Sequence, residues 1–77
     1  MVPFVGQVIR FAGVHPPRGW AECDGRELEI ARFGMLYSVL GTMHGGDGKN
    51  TFALPDLNGD DGVMHIIATD GTYPEPS

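Results

Sequence analysis

Cysteine is almost absent: Cys23 stands alone among 77 residues, so no disulfide can form within the chain. Paired metal ligands are missing too. His15, His44 and His65 lie far apart, whereas a structural zinc site takes four Cys or His ligands at short spacing. Basic residues are scarce, five against ten acidic, and none of them cluster. A chain of net charge −5 is repelled by phosphate backbones and anionic bilayers, which excludes nucleic-acid binding. No apolar run approaches the ~20 residues of a membrane span, and Met1 to Gly6 lacks the basic start and apolar stretch of a secretory signal. Synthesis in a cytoplasm without a signal peptide is therefore expected, with export by another route such as lysis. Chains this small reach only ~3–5 kcal/mol from one core, and lean on disulfides, metals or oligomerisation. With the first two excluded, self-association into a homo-oligomer is the expectation.

Glycine and proline, by contrast, are abundant, at twelve and six residues. They demand tight turns and leave little room for regular helix. Enough apolar residues remain for a core. The pattern predicts a single compact, β-rich α+β domain over residues 1–77, with one short helix and glycine-rich loops. Val5 to Phe11 reads as a first strand, with Val5, Gln7, Ile9 and Phe11 on one face and apolar residues on both, so cover on both sides is expected. His15-Pro16-Pro17-Arg18-Gly19 ends it. Trp20 to Leu28 reads as a hairpin about Asp24-Gly25, a pair suited to a type I′ turn, with Trp20 and Leu28 inside.

Ile30, Phe33, Leu36, Tyr37 and Leu40 recur at three- and four-residue spacing, which predicts a helix from about Ala31 to Leu40. Its N-terminal cap is poor, Gly34 falls inside it, and Gly41 supplies a left-handed end. A glycine loop follows from Gly41 to Gly48. Thr51 to Leu57 is apolar but interrupted by Pro55, and Val63 to Thr69 reads as a final strand rich in β-branched residues. Residues 70–77 form a turn and a short proline-flanked tail.

Several segments invite a chemical reading, and each meets a plainer one. Gly48-Lys49 suggests a phosphate loop, but that pattern would put Met43 at its first glycine and Asn50 at its hydroxyl. Asp47 would also repel a phosphate. Asp56, Asn58 and Asp60 match the first three ligand positions of a calcium loop, yet Asp61 and Ile67 occupy the places of its glycine and bidentate glutamate. An acidic surface turn capping its own amides is the better reading. Cys23 has nothing nearby in sequence to activate it, so burial is expected rather than a role as nucleophile in a hydrolase. His65 sits mid-strand as a half-buried histidine, although a symmetric ring would bring copies of it together as a pH sensor. Trp20, Phe52, Tyr37 and Tyr73 are candidates for an aromatic sugar platform. Trp20 and Phe52 suit a core better, and Tyr73 suits surface contact. No cofactor, no metal and no catalytic residue is expected.

Read in order, one set of segments is specific. Phe11-Ala12-Gly13, Pro17-Arg18-Gly19-Trp20-Ala21, Cys23-Asp24-Gly25 and Leu36-Tyr37-Ser38-Val39-Leu40-Gly41-Thr42 lead into Gly45-Gly46-Asp47-Gly48. Thr51-Phe52-Ala53-Leu54-Pro55-Asp56-Leu57 completes the set. Together they resemble the phage tail collar domain, found in short tail fibres and in bacterial proteins of the microcystin-dependent type, over about residues 5–57. Ile66-Ile67-Ala68 and Gly71-Thr72-Tyr73-Pro74 are similar to its closing strand and turn. The shared residues are folding residues: Gly25 at a turn, Gly41 at the helix end, and Phe52 to Pro55 as an extended segment packed on Trp20. Ala31 stands where many members carry serine, and Asn58 to Gly62 where many carry an Arg-Gly-Arg run.

The resemblance implies a non-enzymatic assembly role in a virion tail or a surface assembly. The expected function is a structural subunit that self-associates into a ring, trimer or filament for attachment. Val2, Pro3, Phe4, His65, Tyr73 and Pro74 are the candidate assembly contacts, and other tail or surface proteins are candidate partners. The alternative is a glycan- or receptor-binding module using Tyr73 and the glycine loop.

Overall fold

Ile66, Ile67 and Ala68 are consecutive and all buried, which requires a strand covered on both faces. That strand is the centre of the molecule. The computed structural model describes residues 2–59 and 62–74. In it β1 (Val8–Phe11), β2 (Trp20–Glu22), β3 (Glu27–Glu29), α1 (Gly34–Leu40), β4 (Thr51–Ala53) and β5 (Met64–Ala68) follow in chain order. Five strands in two sheets with one short helix make the α+β class that the sequence predicts.

β5 lies between β1 and β2 in an antiparallel sheet of order β1-β5-β2. Val8 faces Ile67 and Arg10 faces His65 on one side, while Ala21 faces Ile67 on the other. Directly paired residues share a sheet face, so Val8, Arg10, Ala21, His65 and Ile67 point one way. Ile9, Phe11, Trp20, Glu22, Ile66 and Ala68 point the other way.

The core sits on the Ile67 face. Val5, Cys23, Leu36, Phe52, Leu54 and Ile67 form its buried cluster, with Ala21, Leu28, Ile30, Phe33, Tyr37 and Leu40 packed around it. The large buried side chains each contribute ~1.5–3 kcal/mol through their removal from water. β3 and β4 form a second, two-stranded sheet that carries Phe52 opposite Leu28.

Three sequence expectations change here. Residues 20–28 do not form a hairpin. β2 pairs with β5, a longer apolar strand, and β3 pairs with β4, which sets Phe52 opposite Leu28. Gly25 has φ +84°, but no non-glycine residue has positive φ among the described residues, so Asp24-Gly25 is not the type I′ turn. Instead the Asp24 carboxylate accepts the Arg26 amide at 3.1 Å and its guanidinium at 2.9 Å, and residues 23–26 bond to 54–57. Secondly, β1 is not covered on both sides: it is an edge strand, and Val8 and Ile9 are each 38 % exposed. Gln7 is exposed as well.

Thirdly, the helix begins at Gly34, not Ala31. Phe33 is its N-cap without a side-chain cap bond, and residues 29–33 form a turn in which Arg32 and Phe33 both donate to the Glu29 carbonyl at 3.1 Å. Ile30 is held elsewhere, donating to Asn50 at 2.9 Å. The helix ends where expected, with the Gly41 amide donating to the Tyr37 carbonyl at 2.7 Å and φ +59° at Gly41.

Candidate functional site

The two ends of the described chain meet in a seam. The Thr72 amide donates to the Pro3 carbonyl and the Val5 amide to the Thr72 carbonyl, both at 2.9 Å, so Phe4 and Thr72 form a parallel bridge. Tyr73 then reaches α1, where its hydroxyl lies 2.9 Å from Ser38 Oγ, which donates to the Met35 carbonyl. Across the seam, Val39 Cγ1 lies beside Gly6, close enough that a Cβ there would sit at 3.0 Å. The three segments thereby joined carry exposed apolar residues: Phe4 at 56 %, Met35 at 45 %, Tyr73 at 43 % and Val39 at 37 %. Among the candidate assembly residues, Val2, Pro3, Phe4, Tyr73 and Pro74 all lie along this seam. His65 does not. It is half-buried in β5 on the core side of the sheet, with Nδ1 sealed from solvent and unbonded.

The glycine loop supplies its own anion. Asp47 Oδ1 accepts the amides of Lys49, Asn50 and Thr51 at 2.8, 2.8 and 3.0 Å. These bonds favour the charged form and hold the Asp47 carboxyl down at about 2. The amides that a phosphate would need are already taken. Gly45, Gly46 and Gly48 all have positive φ, and Gly46 passes directly against the Phe52 backbone.

In the acidic turn, Asn58 uses both ends of its amide: Nδ2 donates to Glu22 Oε2 at 2.6 Å, and Oδ1 accepts the His65 amide at 2.9 Å. Asp56 is exposed and bridges to Asp24. Asp60, the third position of the calcium-like pattern, and Asp61, which stands in the place of its glycine, lie outside the described residues. No group of three or more His, Cys, Asp or Glu is placed to hold a metal among the described residues.

Cys23 is fully buried, and burial followed by the nearby Asp24 and Glu22 charges pushes its thiol up to about 11. Such a thiol is a poor nucleophile at neutral pH. The four aromatic candidates do not share a surface. Phe52 is buried, with the Tyr37 ring tilted against it at 5.5 Å, while Tyr73 serves the seam. Trp20 is half-buried and lies on the sheet face opposite the core cluster, so the packing of Phe52 to Pro55 on Trp20 does not occur. It lines a shallow groove with Arg18 and Asp70 instead.

The model of the phage tail collar domain matches residues 6–61. The chain belongs to that family. No curated protein sequence matches it. Collar domains are structural modules of phage tails and not enzymes. Within this collar domain, the segments that carry the resemblance do structural work. Leu54 and Pro55 are buried, and the Leu57 amide donates to the Cys23 carbonyl at 2.9 Å, so the Pro-Asp-Leu segment fastens onto the Cys-Asp-Gly segment. No helix of the collar domain's described residues is long and apolar enough to cross a membrane.

No functional reading in sequence attaches to Met35, Ser38 and Val39 on the outer side of α1, or to Arg18, Asp70 and Gly71 beside Trp20. Helical spacing places Met35 and Val39 off the core stripe, which marks them as apolar residues without an internal partner. Nothing in the sequence brings Arg18 next to Asp70.

Proposed function

We propose that this collar domain, taken as one unit over residues 1–77, is a non-enzymatic structural subunit that works by associating with copies of itself. The observation that carries this is the seam. The three segments that it joins each carry exposed apolar residues, Phe4 on the first, Met35 and Val39 on α1, and Tyr73 on the last. Apolar surface gathered in this way is used for docking between proteins. A ring, a trimer and an open filament are all built from such contacts, according to whether the repeat closes. The assembly would form part of a phage tail and serve attachment, with other tail proteins as further partners.

The buried Cys23 thiol supports a role without covalent chemistry. The seam also engages the Tyr73 hydroxyl with Ser38, which favours an assembly role for Tyr73 over a sugar-stacking one. Light scattering after size exclusion tests the reading. The wild-type chain should elute at a multiple of 8.3 kDa, and Phe4→Ser, at a position 56 % exposed, should lower that mass while leaving the circular dichroism spectrum unchanged. A wild-type monomer at millimolar concentration would overturn it. Specific signal on a glycan array from a monomeric chain would favour the glycan-binding alternative.

A further inference from the structure

A groove of about 270 Å³ opens beside the seam, lined by Val2, Pro3, Arg18, Trp20, Asp70 and Gly71. Trp20 and Pro3 give it an apolar surface, and Arg18 gives it a cation. Arg18 is exposed and makes no ion pair among the described residues. Asp70 is the acid on the same groove, 3.5 Å from the Thr69 hydroxyl that donates to it.

An aromatic ring beside a guanidinium recognises a proline-rich segment that carries an acid. Proline holds the segment extended in advance, so little entropy is lost on docking, and its ring packs on the aromatic surface. A carboxylate between the prolines pairs with the arginine. The chain itself contains such a segment in Tyr73-Pro74-Glu75-Pro76-Ser77. We propose that the Trp20–Arg18 groove takes residues 74–77 of a second copy, with the prolines against Trp20 and Glu75 paired to Arg18. This rests on the assembly reading above and names the donor and acceptor surfaces.

The donor is a second copy because of the direction of the seam. Phe4 and Thr72 run parallel, so the chain beyond Thr72 leads away from Val2 and Pro3, which line the groove. Tyr73 is tied to Ser38 on α1, and Pro74 keeps Tyr73 extended. Residues 74–77 extend at most about 14 Å beyond Tyr73, with two prolines resisting reversal. Groove and tail are different surfaces of one chain, so each copy both donates and accepts. The contact is heterologous and repeats from copy to copy.

Trp20 is the sole tryptophan, so its emission reports on the groove directly. The test titrates dilute full-length protein with a synthetic peptide of residues 72–77, capped at both ends, with excitation selective for tryptophan. A saturable change in Trp20 emission is expected. Arg18→Glu should weaken it roughly tenfold, the equivalent of one lost charged pair, and a peptide with Glu75→Lys should bind Arg18→Glu better than wild type. No change up to millimolar peptide overturns the proposal. So does a change that is indifferent to both charge reversals, or one produced by a neutral oligosaccharide and not by the peptide. Light scattering separates this from the assembly reading. If full-length Arg18→Glu and Glu75→Lys both keep the wild-type mass, the groove is not the contact and assembly proceeds elsewhere. If the wild type is monomeric throughout, assembly fails and the peptide titration alone decides the groove.

Discussion

Gly71 lies directly under Pro3, so close that a Cβ on Gly71 would collide with the Pro3 carbonyl oxygen. That carbonyl is the acceptor for the Thr72 amide, and Gly71 itself has φ +144°, a region that side chains disfavour. Gly71→Ala therefore meets both strain and collision at the seam. It should cost about 2 kcal/mol or more, a large share of the ~3–5 kcal/mol available to a chain this small. Urea denaturation measures this directly. A midpoint equal to wild type would mean that the seam is not the close contact described.

Two other glycines should respond in opposite directions. Gly46 abuts the Phe52 backbone with φ +95°, and Gly46→Ala should destabilise strongly. Gly34 opens α1 with no heavy atom near its missing Cβ and no left-handed φ. Gly34→Ala should add about 0.5–1 kcal/mol by restricting the unfolded chain and favouring helix, raising Tm by about 3–6 °C. Thermal melts of the pair check both signs at once.

Asp47 should set part of the acid sensitivity. Its carboxyl is held at about 2 in the folded chain against an ordinary 3.8, because three backbone amides favour the charged form. The folded value is the lower one, so this stabilisation is complete above the unfolded value and is lost as pH falls between the two. Asp24, lowered by its bonds to Arg26, loses stabilisation in the same direction and contributes equally to wild type and variant. The gap in Tm between wild type and Asp47→Asn should be constant near neutral pH and close between pH 3.8 and about 2. A gap that stays constant through that range would show that the three bonds do not favour the charge.

Cys23 should be silent to thiol reagents in the folded chain. It is fully buried with its thiol pushed up to about 11, so neither access nor thiolate is available near pH 8. A chromogenic disulfide reagent should release no colour from native protein and one equivalent in guanidinium. Prompt reaction of the native chain would contradict the burial.

The helix with its C-terminal end, the final strand and a bend at Gly25 are legible in sequence because each rests on neighbours in the chain: a stripe at three and four residues, a β-branched run, a glycine that bends; the helix start and the turn type are not. Pairing is not legible in this way. β2 and β3 sit either side of a good turn, yet Trp20 to Glu22 take Ile66 to Ala68 as partners and Leu28 takes Phe52. Local turn chemistry cannot say which distant strand offers more buried surface. The same limit applies to Trp20. Its size suggests the core, but the alternation of the strand puts Ala21 on the core side and Trp20 on the other. The seam depends on residues nearly seventy positions apart, and only the apolar or proline-stiffened character of both ends hinted that they matter.

The parallel bridge between Phe4 and Thr72 also has a mechanical meaning. Tension applied through the two terminal segments pulls them in opposite directions along the same line. The Pro3–Thr72 and Val5–Thr72 bonds lie across that line and are loaded together in shear, where an antiparallel pair pulled from one end would open bond by bond. A domain closed in this way resists stretching with few hydrogen bonds, and the resistance is set at the point where the chain enters and leaves.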